Sequence, residues 1–233
     1  MQRSICSLLL VCALPIAASA QFVQRIGMQQ GLAFSRITLV YDPDPTVGID
    51  DESERLTGYS ARMFVDLFET TCFHLSPGIG FIQRGGAQTD RLLTVGGSIP
   101  RMARASNLNY VSFDLSAKAG HAFGRTTPYA FAGPRIDVLL NASTAFSYFD
   151  QFRALNRTRT GLRYGAGLSV DLGSLSAFAE WCALWDLNDV TTDLATQVID
   201  TSDGRWRTVN TRITDRTWML SVGLAVKLCG RAS

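Results

Sequence analysis

Residues 162–185 read LRYGAGLSVDLGSLSAFAEWCALW and carry the pattern that decides the fold. On both sides of Gly173, apolar residues occupy every second position, and most of the residues between them are polar, charged or glycine. A period of two is typical of β-strands, in which successive side chains point to opposite faces. The stretch is therefore predicted to form a hairpin with one apolar and one polar face. Residues 218–228, WMLSVGLAVKL, repeat the pattern.

The same alternation continues upstream and predicts eight strands. They cover 25–37, 57–69, 71–84, 108–120, 126–141, 160–172, 175–187 and 215–228. The connections alternate between long and short, which is typical of a transmembrane β-barrel with short turns at one end and long loops at the other. We therefore predict an all-β fold, an eight-stranded antiparallel up-and-down transmembrane β-barrel, with 21–233 as its single domain.

The polar face of these strands is rich in charge. It carries His74 and a predicted lumen charge network of Arg62, Asp66, Asp114, Lys118, Arg135, Asp137, Arg163, Asp171, Glu180, Asp186 and Lys227. Eight strands leave a lumen just wide enough for side chains to fill, so these charges are expected to pair inside as one mutually neutralising network. A soluble barrel of the lipocalin type would instead bury the tryptophans and leucines and expose the charges, and the sequence alone leaves that alternative open.

The first twenty residues are predicted to be a signal peptide. Arg3 supplies the positive charge, 5–17 form a short apolar stretch, and Ala18-Ser19-Ala20 is a small-x-small cleavage site. Export and a barrel together predict the outer membrane of a Gram-negative bacterium, with periplasmic N- and C-termini. The expected partners are outer-membrane lipid, the barrel-assembly machinery during biogenesis and an envelope protein. With 22 basic against 20 acidic residues, the chain lacks the basic field that nucleic-acid binding requires.

The sequence offers little material for catalysis. Its two histidines, His74 and His121, form no metal-ligand or nucleophile motif, so we predict no enzyme activity, no cofactor and no metal site. An outer-membrane hydrolase that uses His74 is a weaker alternative. Cys72, Cys182 and Cys229 are an odd set without motif spacing, which argues against a disulfide framework.

The long loops hold the predicted contact surface. In the third loop, aromatic residues accompany Arg153, Arg157 and Arg159, and in the fourth loop Asp203-Gly204 predicts a tight turn with strands extending outward on either side. The candidate contact residues are Phe146, Tyr148, Phe149, Phe152 and Trp206. We therefore expect a structural role, or binding of a ligand or partner through the outer loops. Alternatively, these aromatic residues form a belt at the membrane interface or pack against each other within the loop.

Four stretches resemble the PorT-type outer-membrane β-barrel proteins, a family common in Bacteroidota. They are 27–35 (GMQQGLAFS), 75–85 (LSPGIGFIQRG), 128–135 (PYAFAGPR) and 164–168 (YGAGL). The resemblance implies an eight-stranded outer-membrane barrel over most of 25–228. Since the founding branch of the family is implicated in assembling a secretion system, it also implies an alternative function as a subunit of a secretion or assembly machine. These motifs are structural, and none of them implies an activity.

Overall fold

The computed structural model describes residues 23–42, 54–68, 73–89, 103–143, 155–190, 194–199 and 206–228. The predicted signal peptide lies outside these ranges. The strands are β1 (Val23–Asp42), β2 (Glu54–Leu67), β3 (Phe73–Thr89), β4 (Ala103–Gly120), β5 (Thr126–Ser143), β6 (Thr158–Asp171), β7 (Leu175–Asp186), β8 (Leu194–Ile199) and β9 (Trp206–Lys227). Within the described ranges, no helix is long and apolar enough to span a bilayer.

Eight of these strands close into an antiparallel barrel. β1 to β7 pair in sequence order, β7 pairs with β9, and β9 pairs with β1. The closing pair runs from Arg25↔Lys227 to Asp42↔Asn210. The predicted fold, a closed eight-stranded up-and-down barrel, is thereby confirmed.

Most strands reach further toward the long connections than the sequence pattern predicted; β3 continues to Thr89, for example, and β4 begins at Ala103. β1 continues from 37 to Asp42, and β9 begins at Trp206 rather than at 215. The short β8 pairs with the added part of β9, from Leu194↔Thr211 to Ile199↔Trp206. Polar and β-branched residues dominate this part of β9, so apolar alternation, which marks a half-buried wall, does not reveal it. The predicted turn at Asp203-Gly204 lies outside the described residues, but the strands on either side of it do pair.

Short turns lie at the end of the barrel that also holds Val23 and Lys227. Phe123 and Thr126 form a bridge across the β4–β5 turn, where Gly124 has a φ of 64°. Gly173 in the β6–β7 turn has a φ of 94°. Both angles lie in the left-handed region, which glycine reaches without steric cost. The long connections lie at the opposite end, which we call the loop side. The end with the short turns is the turn side.

Alternate residues of each barrel strand face out, and the outer surface is apolar. Leu168 on β6 is 48% exposed and Val222 on β9 is 60% exposed. Arg163 on β6 and Ser221 on β9, which lie an odd number of residues from these two, face inward and are buried. This arrangement of faces is the reverse of that in a soluble lipocalin-type barrel, and it is the arrangement that a lipid environment requires.

Candidate functional site: the charged lumen

The inward charges of the barrel form two groups. The turn-side cluster consists of Arg62, Asp66, Asp114, Lys118, Arg163 and Glu180, and the loop-side cluster consists of Arg84, Arg135, Asp137, Arg159, Asp186 and Asp215. Each cluster contains three basic and three acidic side chains, so each is formally neutral. A charge in a narrow lumen is costly unless an opposite charge and hydrogen bonds compensate for the lost water.

The turn-side cluster is built around a two-pronged ion pair. Arg62 donates from Nε to Asp114 Oδ2 at 2.8 Å and from Nη2 to Oδ1 at 2.7 Å. Arg163 donates from Nη2 to Glu180 Oε2 at 2.8 Å, and it also lies 3.6 Å from Asp114. Lys118 Nζ lies 3.5 Å from Glu180 Oε1. Forked arginine–carboxylate pairs of this kind combine charge with directional hydrogen bonding.

Aromatic rings surround the ammonium group in this cluster. Lys118 Nζ lies 4.5 Å from the ring centre of Phe64, 5.4 Å from that of Tyr129 and 5.8 Å from that of Phe178. The Tyr129 hydroxyl donates to Glu180 Oε1 at 2.9 Å. Cation–π contact therefore adds to the stabilisation of a lysine that is almost fully buried.

In the loop-side cluster, carboxylates are shared between arginines. Arg84 donates from Nη2 to Asp137 Oδ2 at 2.5 Å. Arg135 donates to both Asp137 and Asp186, and Arg159 also donates to Asp186. Arg84, Asp137 and Arg159 are almost completely buried. This end of the lumen is therefore filled by ionic side chains.

Glycine on the inner face makes room for these long side chains. A Cβ added at Gly78 would lie 2.4 Å from Arg62 Nε and 2.6 Å from its Cζ. At Gly161, an added Cβ would lie 3.2 Å from Arg135 Nη2. The small residues that alternate with apolar ones in the sequence therefore lie beside the guanidinium groups.

Buried apolar side chains also pack in the interior, and the cluster that they form reaches the segment that follows β7. Val190, which follows β7, is 2% exposed and packs in one cluster with Leu108, Leu139 and Leu155. The Asn156 backbone N–H donates to the Val190 carbonyl at 2.9 Å, which joins the segment before β6 to the segment after β7. The described part of the lumen is thus filled by ionic side chains together with buried apolar ones.

The predicted lumen residues are divided between the clusters and the rim. Asp171 and Lys227 contact each other at the turn side, with side chains 44% and 29% exposed, and belong to neither cluster. On β7, the inward side chains of Cys182 and Leu184 separate Glu180 from Asp186, and among the described residues no ion pair joins the two clusters. The expectation of one continuous network is therefore wrong in this respect.

Three members of the loop-side cluster were not among the predicted site residues. Arg159 was grouped with the exposed arginines of the third loop, but it is buried, and its Nη1 donates to Asp215 Oδ2 at 2.7 Å. Asp215 shares the inward alternation of β9 with Thr217, whose Oγ1 donates to it at 2.7 Å. Arg84 continues the inward alternation of β3, but the apolar Ile82 precedes it and masks the pattern. Arg84 and Asp215 are the end residues of the predicted strands 71–84 and 215–228, and Arg159 lies one residue before the predicted strand 160–172. Following the inward alternation to these strand ends, and one residue further in β6, would have identified all three.

The remaining candidates lie apart from the clusters or outside the described residues. His74 Nε2 lies 3.6 Å from Asp66 Oδ2, and His121 is exposed in the β4–β5 turn. Within the described ranges, no group of three or more histidine, cysteine or acidic side chains is arranged to hold a metal. Trp206 is the first residue of β9. The other proposed contact residues, Phe146, Tyr148, Phe149 and Phe152, lie outside the described residues, as do Cys72 and Cys229.

Comparison with solved structures finds outer-membrane proteins to which this chain is similar. The outer membrane protein OprG from Pseudomonas aeruginosa superimposes with a TM-score of 0.51 at 9% identity, over 88% of this chain and 97% of OprG. Neisserial surface protein A gives a TM-score of 0.42 at 13% identity, over 87% of this chain and 96% of that one. The N-terminal β-barrel domain of P. aeruginosa OprF gives 0.38 at 15% identity, over 84% and 96%. The similarity to OprG shows a shared fold.

No protein-family model and no curated protein matches the sequence.

Proposed function

We propose that this protein is an outer-membrane β-barrel of a Gram-negative bacterium that does not conduct, and that holds its long loops at the cell surface to bind a ligand or an envelope partner. The observation that carries the proposal is the filled lumen. Two neutral ionic clusters occupy it, and buried apolar side chains, Val190 among them, pack in the same interior. A barrel filled in this way serves as a rigid support for its loops rather than as a path for solutes.

The arrangement of the connections supports the orientation that we propose. The short turns and the described chain ends share one end of the barrel, and the long connections share the other. Outer-membrane barrels place short turns in the periplasm and long loops outside the cell. The proposal therefore includes export by residues 1–20, insertion by the barrel-assembly machinery, periplasmic termini and a role without catalysis. The resemblance to PorT-type barrels supports the same placement.

The first test is electrical. We expect the pure full-length protein, inserted into planar lipid bilayers, to show no stable conductance, because buried ion pairs fill the lumen. Porin insertion under the same conditions serves as the positive control. Stable, large openings that recur with each insertion would contradict the proposal of a closed barrel.

The second test concerns orientation. An epitope inserted within 43–53, in the β1–β2 connection, is expected to bind antibody on intact cells, because this connection lies on the loop side. The same epitope placed after Gly124, in the β4–β5 turn, is expected to bind only after the outer membrane is permeabilised. The opposite accessibility would show that the long loops face the periplasm.

A further inference from the structure

One polar side chain interrupts the apolar outer face of β1. Gln30 faces outward between Met28 and Leu32, which are 65% and 51% exposed. The Tyr59 hydroxyl donates to Gln30 Oε1 at 3.4 Å. No acceptor for the Gln30 Nε2 group is present among the described residues. Hydrocarbon contains no water that could accept a hydrogen bond from this N–H group, so the donor requires an acceptor from outside the barrel.

Beside this amide lies a groove. It has a volume of about 470 Å³ and crosses from β1 over β9 to β7, lined on its outer walls by Gln30, Leu32, Ala179, Trp181, Leu220 and Val222. The small side chain of Ala179 lies in the same row of the sheet as Val222 and Gln30, and the larger Trp181 and Leu220 lie in the next row. The barrel wall thus presents a depression with an amide at its edge.

The depth of Gln30 in the apolar band identifies what can satisfy it. Phe34, four residues further along β1, stacks on Trp218 with ring centres 4.1 Å apart, toward the loop side. Four residues of a tilted strand span roughly 10 Å along the membrane normal. Ile26 continues the apolar face toward the turn side. Gln30 therefore lies near the middle of the band, away from the ester and headgroup oxygens of lipids, where acyl chains offer no acceptor.

We propose that Gln30 and this groove form the interface of a two-fold dimer with a second copy of the same chain. A carboxamide is self-complementary, since the N–H of each copy can donate to the oxygen of the other across the two-fold axis. An axis at Gln30 places the β2 face of one copy, with Tyr59 and Met63 exposed, over the groove beside β1 of the other. Because of the two-fold symmetry, each hydrogen bond and each packing contact of this interface occurs twice. The inference rests on the membrane placement proposed above.

The experiment measures self-association of residues 21–233, the chain without its predicted signal peptide and therefore without Cys6 and Cys12, in phosphatidylcholine bilayers. Cys182 is buried and stays in place. In a Cys72→Ser/Cys229→Ser background, Gln30→Cys is expected to form disulfide-linked dimers on oxidation. Ile136→Cys, an exposed site on β5 away from the proposed interface, is the control and is expected to give no disulfide-linked dimer. Fluorescence energy transfer at decreasing protein density is expected to show association of the wild-type protein, and Gln30→Leu is expected to weaken it about tenfold, the size of a membrane-embedded amide contact.

Three results would overturn the dimer. They are a wild-type protein that is monomeric at every density, an association constant that Gln30→Leu leaves unchanged, and equal cross-linking at positions 30 and 136. In the first case, acyl chains fill the groove. Correct insertion is checked separately by the heat-dependent gel mobility of the folded barrel. Failure of the wild-type protein to insert would contradict the proposed function, whereas an inserted monomer contradicts the dimer alone.

Discussion

Asp114→Ala is expected to destabilise the barrel by about 3 to 5 kcal/mol, the cost of leaving a buried charge without its partner. Asp114 accepts both prongs of Arg62 and a hydrogen bond from the Ser116 hydroxyl at 3.1 Å, and it lies 3.6 Å from Arg163. Arg62 is 8% exposed, so water cannot readily replace the lost carboxylate. The free energy of unfolding, measured by urea titration in detergent micelles, checks the value.

The double variant Arg62→Met/Asp114→Leu separates charge from volume. It removes both members of the pair and keeps apolar bulk in the lumen, and Arg163 retains Glu180 at 2.8 Å. We expect it to be more stable than Asp114→Ala, because no charge is left unpaired. Asp171→Ala is the control for a pair at the rim. Its carboxylate is 44% exposed beside Lys227, so the expected loss is under about 1 kcal/mol. If all three variants lost little stability, and Asp114→Ala lost no more than the other two, the lumen charges would face bulk water.

The alternation that predicted the lumen residues is a local property of each strand. It therefore predicts which face a residue occupies, but not which residue of another strand it contacts. Arg163 lies on the inner face because it is an odd number of residues from the outward Leu168 on β6, and Glu180 does so because it follows the outward Ala179 directly on β7. Such parity is visible in the sequence and needs no knowledge of neighbours. It determined the fold class, the number of barrel strands and the face of each residue.

The partners of each charge could not be predicted in the same way. Arg62 meets Asp114 across 52 residues, and Arg84 meets Asp137 across 53. These ion pairs depend on the stagger of the strands around the barrel, which the local pattern does not encode. The division into two clusters follows from that stagger. The strand ends near the long loops were missed for a different reason. The part of β9 that precedes residue 215 is mostly polar, and it pairs with β1 and β8 without forming an apolar face.

Leu168→Arg tests the outward face directly. Leu168 is 48% exposed on β6, in the same row as Pro128 of β5 and Ala179 of β7, which also face outward. An arginine on the lipid face costs about 2 to 4 kcal/mol at the bilayer midplane and about 0 to 1 kcal/mol near the interface. We expect a clear loss of folded protein when the variant refolds into phosphatidylcholine bilayers. The folded fraction is read from gel mobility without heating, and the free energy of unfolding from denaturant titration in the same lipid.

Thr160→Arg is the matched control on the same strand. Thr160 is exposed and lies two residues from the loop-side start of β6, where an arginine can reach the headgroup region. We expect its folding yield to stay close to that of the wild-type protein, which separates the replacement of an apolar lipid-facing residue from the effect of an added charge. Equal losses at both positions would point to a general effect of charge on folding. A wild-type yield for Leu168→Arg would show that this face is not in lipid, and the barrel would then have to stand in water with its apolar surface covered by another protein.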